Sequence, residues 1–182
     1  MKALFITLEE LKRKSIIDGN VDTDKLIQFV EVAQDTYIQN YLGTRFYDAL
    51  QTQVINSTLT SDNETLINTY IKPMLIWYTQ ATYLPYAAYQ ISNGGIYKHN
   101  SENATSVSES EITKLTKHAT ETADFYAKRF IDYMDDNLDL YPDYIGSQDG
   151  GMYPERDVNF TNWVLWKITS KHTSQRKKTN LN

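Results

Sequence analysis

SDNETLINTYIKPMLIWYTQATYLPYAAYQI, residues 61–91, is the stretch that decides the fold of this 182-residue chain. It opens with the capping box SDNE, a pattern typical of a helix N-terminus. Apolar side chains then follow around most of the helix circumference, which indicates a helix that is buried on several sides. Pro73 and Pro85 interrupt the run, so we expect a kink or break at each. The segment is predicted to be the central helix, stopped by the Asn93-Gly-Gly sequence.

Helices are also predicted on both sides of the central segment. A capping box at Thr7 opens a short helix over 8–15, and Asp22 or Thr23 caps a longer one that ends at Gly43. Apolar residues recur along this second helix at the spacing of one helical face. They are Leu26, Ile27, Val30, Ala33, Tyr37, Ile38 and Tyr41.

Two more helices complete the bundle. A short one starts at Thr44, and a long one runs from a cap at Ser108 or Ser110 to about Leu138. Between the central helix and this last helix, 96–99 alternates like a short strand and 100–108 is a polar loop. The predicted fold class is all-α: an antiparallel bundle of four to five helices over 1–145, with a projecting loop or short β-hairpin at about 92–108. Residues 146–182 are predicted to be an extended C-terminal arm.

Composition excludes several kinds of protein. The chain has no cysteine, which rules out disulfides, thiolate metal sites and a cysteine nucleophile. No apolar run approaches the roughly 20 residues of a membrane-spanning helix, and the charged N-terminus does not resemble a secretory signal. We therefore expect no membrane association, and a reducing compartment fits the composition.

Charge is divided unevenly along the chain. Residues 1–157 contain 13 Lys and Arg and all 23 Asp and Glu, a net charge of −10, whereas 158–182 contain five basic residues and no acid. The same tail holds two of the three tryptophans. A basic, aromatic arm on an acidic body is predicted to dock on a partner, with aromatic anchors and charge steering. The predicted docking residues are Phe160, Trp163, Trp166, Lys167, Lys171, Arg176, Lys177 and Lys178.

An aspartate cluster near the end of the last helix is the strongest candidate for a metal site. Asp135, Asn137 and Asp139 match the first ligand positions of a calcium loop, but Leu140 occupies the position of the required glycine, and the twelfth position has no Glu. We interpret the cluster as a solvated acidic helix end, with no metal. Carboxylates there oppose the helix dipole and favour a cationic partner such as a neighbour's tail. The predicted acidic partner patch is Asp132, Asp135, Asp136 and Asp139.

No pattern points to catalysis. His99, His118 and His172 lie far apart and are predicted to be surface residues. The two glycine pairs lack the continuation of a phosphate-binding loop, and no nucleophile elbow or His-Glu-x-x-His is present. We predict that the protein is not an enzyme and uses no cofactor.

Aromatic residues are dense within 70–89 and suggest two different roles. A platform that stacks single-stranded nucleic acid would need a basic groove, and only Lys72 lies in this stretch. Core packing is therefore the preferred interpretation. The aromatic residues are Tyr70, Trp77, Tyr78, Tyr83, Tyr86 and Tyr89.

The helix order and two local motifs resemble a known family. The motifs are YLGTRFYDAL at 41–50 and SNGGIYKHNSEN at 92–103. Over about 5–145 the chain resembles the helical head–tail connector (adaptor, head-completion or neck ring) proteins of tailed bacteriophages, especially those of phages that infect Bacteroidetes-type hosts. The resemblance implies a ring of usually twelve copies at the capsid vertex, made in the host bacterial cytoplasm. Such a ring binds the portal protein and the next neck or tail protein, and it extends the channel through which double-stranded DNA passes.

Under this resemblance the loop near 92–108 faces a neighbouring subunit or the channel. Its predicted subunit-contact residues are Ile96, Tyr97, Lys98 and His99. Two alternatives remain open: a soluble helical bundle with a ligand-binding or regulatory role, and a small DNA-binding protein that uses the basic tail. A DNA binder would show affinity that falls steeply with salt, and a ligand-binding bundle would be indifferent to deletion of the tail.

Overall fold

Five helices and one β-hairpin make up the computed structural model, which describes residues 2–17, 21–87, 89–92, 95–98, 107–144 and 151–158. Helix α1 is Leu8–Lys14 and α2 consists of Thr23–Ala33, a π-helical turn Gln34–Ile38 and Gln39–Leu42; α3 is Thr44–Asn56. Helix α4 consists of Ser61–Leu66, a second π-helical turn Ile67–Ile71 and Lys72–Ala87. The hairpin strands are β1, Tyr89–Ser92, and β2, Gly95–Lys98. Helix α5 is Glu109–Asp136, and 3-10 turns follow at Leu138–Leu140 and Pro142–Tyr144.

Side-chain caps fix most of the helix starts. Thr7, Asp22 and Ser108 accept hydrogen bonds from the first turns of α1, α2 and α5, and Ser108 forms a full capping box with Glu111. These starts confirm the predictions. In α4 the cap is Thr60, whose Oγ1 accepts from the Asn63 N–H at 3.2 Å, and not Ser61 as predicted.

Helix α4 continues through both prolines, so neither of them breaks the helix. A π-helical turn comes directly before Pro73, where the Lys72 N–H bonds to the carbonyl of Ile67, five residues back. The wider turn changes the backbone hydrogen-bond pairing next to Pro73, so the helix accommodates a ring that would disrupt the pairing of a regular α-helix. Pro85 lies in the last turn of the helix, so its missing donor affects only the helix end.

The end of the central helix was predicted incorrectly. Helix α4 stops at Ala87, and residues 89–92 form β1 instead of a last helical turn. Strand β1 pairs with β2 in antiparallel register, with Tyr89 opposite Lys98 and Ile91 opposite Ile96. Pairing with a second strand overrides the helical apolar pattern of this short stretch.

Helix α4 lies between α2 and α5 and runs antiparallel to both. Tyr37 of α2 meets Tyr78 of α4, and Tyr70 near the start of α4 stacks on Tyr133 near the end of α5. Leu26, Ile38 and Leu50 are among the fully buried core residues. The predicted all-α bundle is therefore confirmed. Leu115, an apolar residue of α5, is 46% exposed.

The segment 151–158 packs against the corner between α2 and α3. The Thr44 N–H donates to the Met152 carbonyl at 3.0 Å, and the Glu155 N–H donates to the Asn40 carbonyl at 2.9 Å. Val158 is buried. The first described part of the predicted arm is thus bound to the helical body. Within the described residues, no helix is long and apolar enough to cross a membrane.

Candidate functional site

An acidic pocket of about 270 Å³ lies between α2, α4, α5 and the C-terminal segment. Three carboxylates, from Asp124, Glu155 and Asp157, line it, and its described lining contains no Lys, Arg or His. The remaining lining residues are Thr36, Tyr37, Asn40, Tyr41, Tyr78 and Thr120. We call this site the acidic pocket.

Each wall of the acidic pocket is held by a different part of the fold. The π-helical turn of α2 contains Thr36 and Tyr37, and the next turn supplies Asn40 and Tyr41. The backbone bond from the Glu155 N–H to the Asn40 carbonyl fixes the C-terminal wall against α2. The pocket therefore exists only when the segment 151–158 is bound to the helices.

Tyrosines form the floor of the pocket and reach its buried carboxylate. The Tyr78 hydroxyl donates to Asp124 Oδ1 at 2.7 Å. Because Tyr78 uses its proton there, the Tyr41 hydroxyl donates to the Tyr78 oxygen, 3.1 Å away. Tyr37 stacks on Tyr78, with ring centroids 4.0 Å apart and planes 4° apart. The result is a rigid aromatic floor beside a carboxylate.

Asp124 is buried without a charge partner. Its side chain is only 8% exposed, and within the described part of the chain no cation lies within ion-pair distance and nothing donates to Oδ2. Burial raises the pKa of Asp124, nearby Glu121 raises it further, and the hydrogen bond from Tyr78 lowers it. Burial likewise raises the pKa of Tyr41, and that of Tyr78 more strongly. A cation in the pocket would relieve the cost of the buried charge.

The acidic partner patch already has partners within the chain. Lys128 Nζ lies 2.9 Å from Asp132, and Arg156 lies 3.9 Å from Asp135. Asp136 and Asp139 are exposed and have no ion pair among the described residues. Helix spacing and the C-terminal segment thus supply cations to Asp132 and Asp135, and docking of the patch on an external cation stays a prediction. No group of three or more acidic or histidine residues in the described part of the chain could hold a metal ion.

The other predicted site residues lie mainly outside the described residues. Ile96, Tyr97 and Lys98 are in β2, whose side chains are not described, and His99 is not described. None of the predicted docking residues of the tail, Phe160, Trp163, Trp166, Lys167, Lys171, Arg176, Lys177 and Lys178, is described, nor is His172. His118 is exposed and meets Trp77 edge-on, with centroids 6.3 Å apart.

The aromatic run divides between core and surface. Tyr78 is fully buried, as core packing predicts, but Tyr86 is 57% and Tyr89 47% exposed. These two side chains help to line a second pocket of about 350 Å³ together with Phe29 and Tyr83. The core interpretation is therefore wrong for Tyr86, in the last turn of α4, and for Tyr89, at the start of β1.

Sequence reasoning did not single out Asp124, although a signal was present. Asp124 directly follows Ala123 and precedes Ala127 by three positions, within the apolar face of α5. A carboxylate at such a position is costly unless something pairs with it. Glu155 and Asp157 carried no comparable local signal.

Comparison with known proteins places the chain in a family. Residues 38–152 match a family of unknown function (DUF6712), and because the match spans more than half of the chain, the protein belongs to this family. Tyr78 and Asp124 lie inside the matched region, whereas Glu155 and Asp157 lie beyond it. Neither the curated proteins nor the solved structures include a match.

Proposed function

We propose that this DUF6712 protein is a non-enzymatic structural protein of a tailed-bacteriophage virion. Copies of it form a ring of about a dozen subunits at the head–tail junction. The ring joins the portal protein to the next neck or tail protein, and double-stranded DNA passes through it without sequence-specific binding. The protein is made in the cytoplasm of the host bacterium and acts in the virion.

One observation carries the proposal. The basic tail, which contains no acid, follows a segment that is anchored on the acidic body. The backbone bonds of Met152 and Glu155 hold this segment against Thr44 and Asn40. The tail's origin on each copy is thus fixed up to Val158. A fixed origin lets the tail reach the same place on every neighbour, as a closed ring requires.

The charge distribution supports the same arrangement. The body carries a net charge of −10 over residues 1–157, and the tail carries five basic residues. Because each subunit carries an acidic body and a basic tail, the tail of one copy is attracted to the body of the next in a head-to-tail contact. Such contacts close into a ring when the rotation between subunits permits. A predominantly acidic channel wall also repels DNA phosphates, so DNA would pass without binding tightly.

A second candidate function rests on the pocket formed by Phe29, Tyr83, Tyr86 and Tyr89. Its volume of about 350 Å³ falls within the range of small-molecule sites, and aromatic residues dominate its wall. A bundle that binds a small apolar ligand would use this pocket and would not need the tail. A DNA-binding role through the tail remains the third candidate.

Native mass and negative-stain imaging over a wide concentration range test the proposal. We expect closed rings, and we expect deletion of 159–182 to abolish them while the circular dichroism of the helices is retained. Trp163→Ala with Trp166→Ala should weaken assembly, whereas the matched change Tyr153→Ala, at a 69% exposed side chain in the anchored segment, should not. A protein that stays monomeric throughout, with or without the tail, would contradict the ring proposal.

A further inference from the structure

We propose that the acidic pocket binds a Lys or Arg side chain from residues 159–182 of a second copy of this chain. The inference rests on the proposed function, since a ring places a second copy beside each pocket. It assigns the tail a receiving site that differs from the acidic partner patch at the end of α5.

The chemistry of the pocket calls for a cation. Asp124 is 8% exposed and has neither a described cation partner nor a donor to Oδ2, while Glu155 and Asp157 add two more carboxylates. A buried carboxylate without a cation partner is unfavourable. A cation that enters the pocket therefore gains more interaction free energy than it would at an exposed carboxylate.

The pocket suits an organic cation better than a metal ion. Tyr37 lines the pocket beside the carboxylates, half-buried and stacked on the buried Tyr78, and aromatic faces attract ammonium and guanidinium groups. The aliphatic stem of Lys or Arg also packs well on such rings. The carboxylates do not converge as metal ligands do: within the described residues, no three acidic or histidine side chains are placed to share a metal ion.

Charge complementarity selects the tail as the source of that cation. The tail offers Lys167, Lys171, Arg176, Lys177 and Lys178 with no acid nearby in sequence. At the acidic partner patch, Lys128 and Arg156 already pair with Asp132 and Asp135, so less attraction is left for an incoming cation. The acidic pocket has no such internal competitor among its described lining residues.

The position of the tail favours a second copy over the same chain. Glu155 and Asp157 form one wall of the pocket, so the chain leaves the body at the pocket itself. Extended at roughly 3.3 Å per residue, 159–182 spans up to about 80 Å, well beyond the body of its own copy. In a closed ring each pocket lies beside a neighbouring copy, so the tail of one copy is long enough to reach the pocket of the next.

Cross-linking tests the contact directly, because the chain has no cysteine of its own. One tagged copy carries Thr36→Cys at the pocket, and a second copy with a different tag carries Ser170→Cys, next to Lys171. We expect a disulfide between the two copies under mild oxidation. Thr65→Cys is the matched control, an exposed threonine of α4 roughly 20 Å along the helix from Tyr78. Equal cross-linking at Thr65, or a bond only within one chain that carries both Thr36→Cys and Ser170→Cys, would overturn the inference.

Charge neutralisation provides the second test. Glu155→Gln with Asp157→Asn should weaken self-association about tenfold, and replacing the five tail cations by Gln should add little to that loss. The control is Glu31→Gln with Glu64→Gln, which removes the same charge from exposed positions outside both the acidic pocket and the acidic partner patch and should leave association unchanged. Rings that persist in the pocket variant would refute the pocket contact and leave the proposed ring intact. A chain that neither assembles nor cross-links would refute both.

Discussion

Gly43 lies directly against Pro154, at the corner where the C-terminal segment binds the helices. A β-carbon at Gly43 would come within 2.8 Å of Pro154 Cδ and 3.0 Å of the Met152 carbonyl oxygen. The Gly43 backbone also has φ 71° and ψ 157°, a region that is essentially restricted to glycine. This one residue therefore ends α2, starts α3 and admits the segment that completes the acidic pocket.

Gly43→Ala should destabilise the protein by about 1–3 kcal/mol, because backbone strain and the contact with Pro154 act together. Urea unfolding measures the loss, and faster proteolysis within 151–158 would show that the segment has been released. Ser57 is the matched control: it has φ 55° at the end of α3, so Ser57→Gly should be neutral or slightly stabilising. Equal stability of Gly43→Ala and the parent protein would contradict the structural role of this corner.

Gln34 ties the N-terminal segment to the first π-helical turn. Its amide oxygen accepts from the Phe5 N–H at 2.8 Å, and its amide nitrogen donates to the Ala3 carbonyl at 2.9 Å. Gln34→Leu leaves the Phe5 N–H without this acceptor, whereas the Ala3 carbonyl keeps its bond from the Gln51 amide, so we expect a loss of about 1–3 kcal/mol in unfolding free energy. Gln28→Leu, at an exposed position of the same helix, should change the free energy by no more than about 0.5 kcal/mol. Comparable losses in the two variants would show that these bonds do not matter.

Tyr78→Phe removes the hydroxyl that joins Tyr41 to Asp124. Because the ring is 1% exposed and Asp124 loses its hydrogen-bond donor, we expect a cost of about 1–3 kcal/mol. Chemical denaturation measures this cost. Tyr86→Phe is the control, since Tyr86 is 57% exposed and should tolerate the change. If Tyr78→Phe were as stable as the parent, the hydrogen-bond chain would have no energetic importance.

Asp124→Asn should stabilise the unassembled protein at neutral pH. Burial raises the pKa of Asp124, so the native state favours the protonated carboxyl, and its contribution to stability is lost as pH rises through that raised pKa. The advantage of Asp124→Asn should therefore be full above the raised pKa, shrink as pH falls from that pKa, and vanish below about 3.9, the ordinary value for Asp. Thermal unfolding of the tail-neutralised protein across pH measures it. Asp132→Asn, which removes an exposed carboxylate that pairs with Lys128, should not stabilise the protein at neutral pH. A constant difference between Asp124→Asn and the parent across pH would contradict this assignment.

Local sequence signals were sufficient for the existence of the helices and for most of their starts. Thr7, Asp22 and Ser108 cap helices because a side-chain oxygen bonds to an N–H only two or three residues away. Gly43 could be placed at a helix end for the same local reason. The uneven charge of body and tail also follows from composition alone.

Contacts between distant residues decided the rest. Whether 89–92 is helix or strand depends on its pairing with 95–98. The acidic pocket joins Tyr41, Tyr78, Asp124 and Glu155, which are separated by tens of residues in the chain. Periodicity and capping act within about one helical turn, so the sequence alone determined the helices and the charge asymmetry. Only the tertiary structure, which brings distant side chains into one place, determined the candidate site.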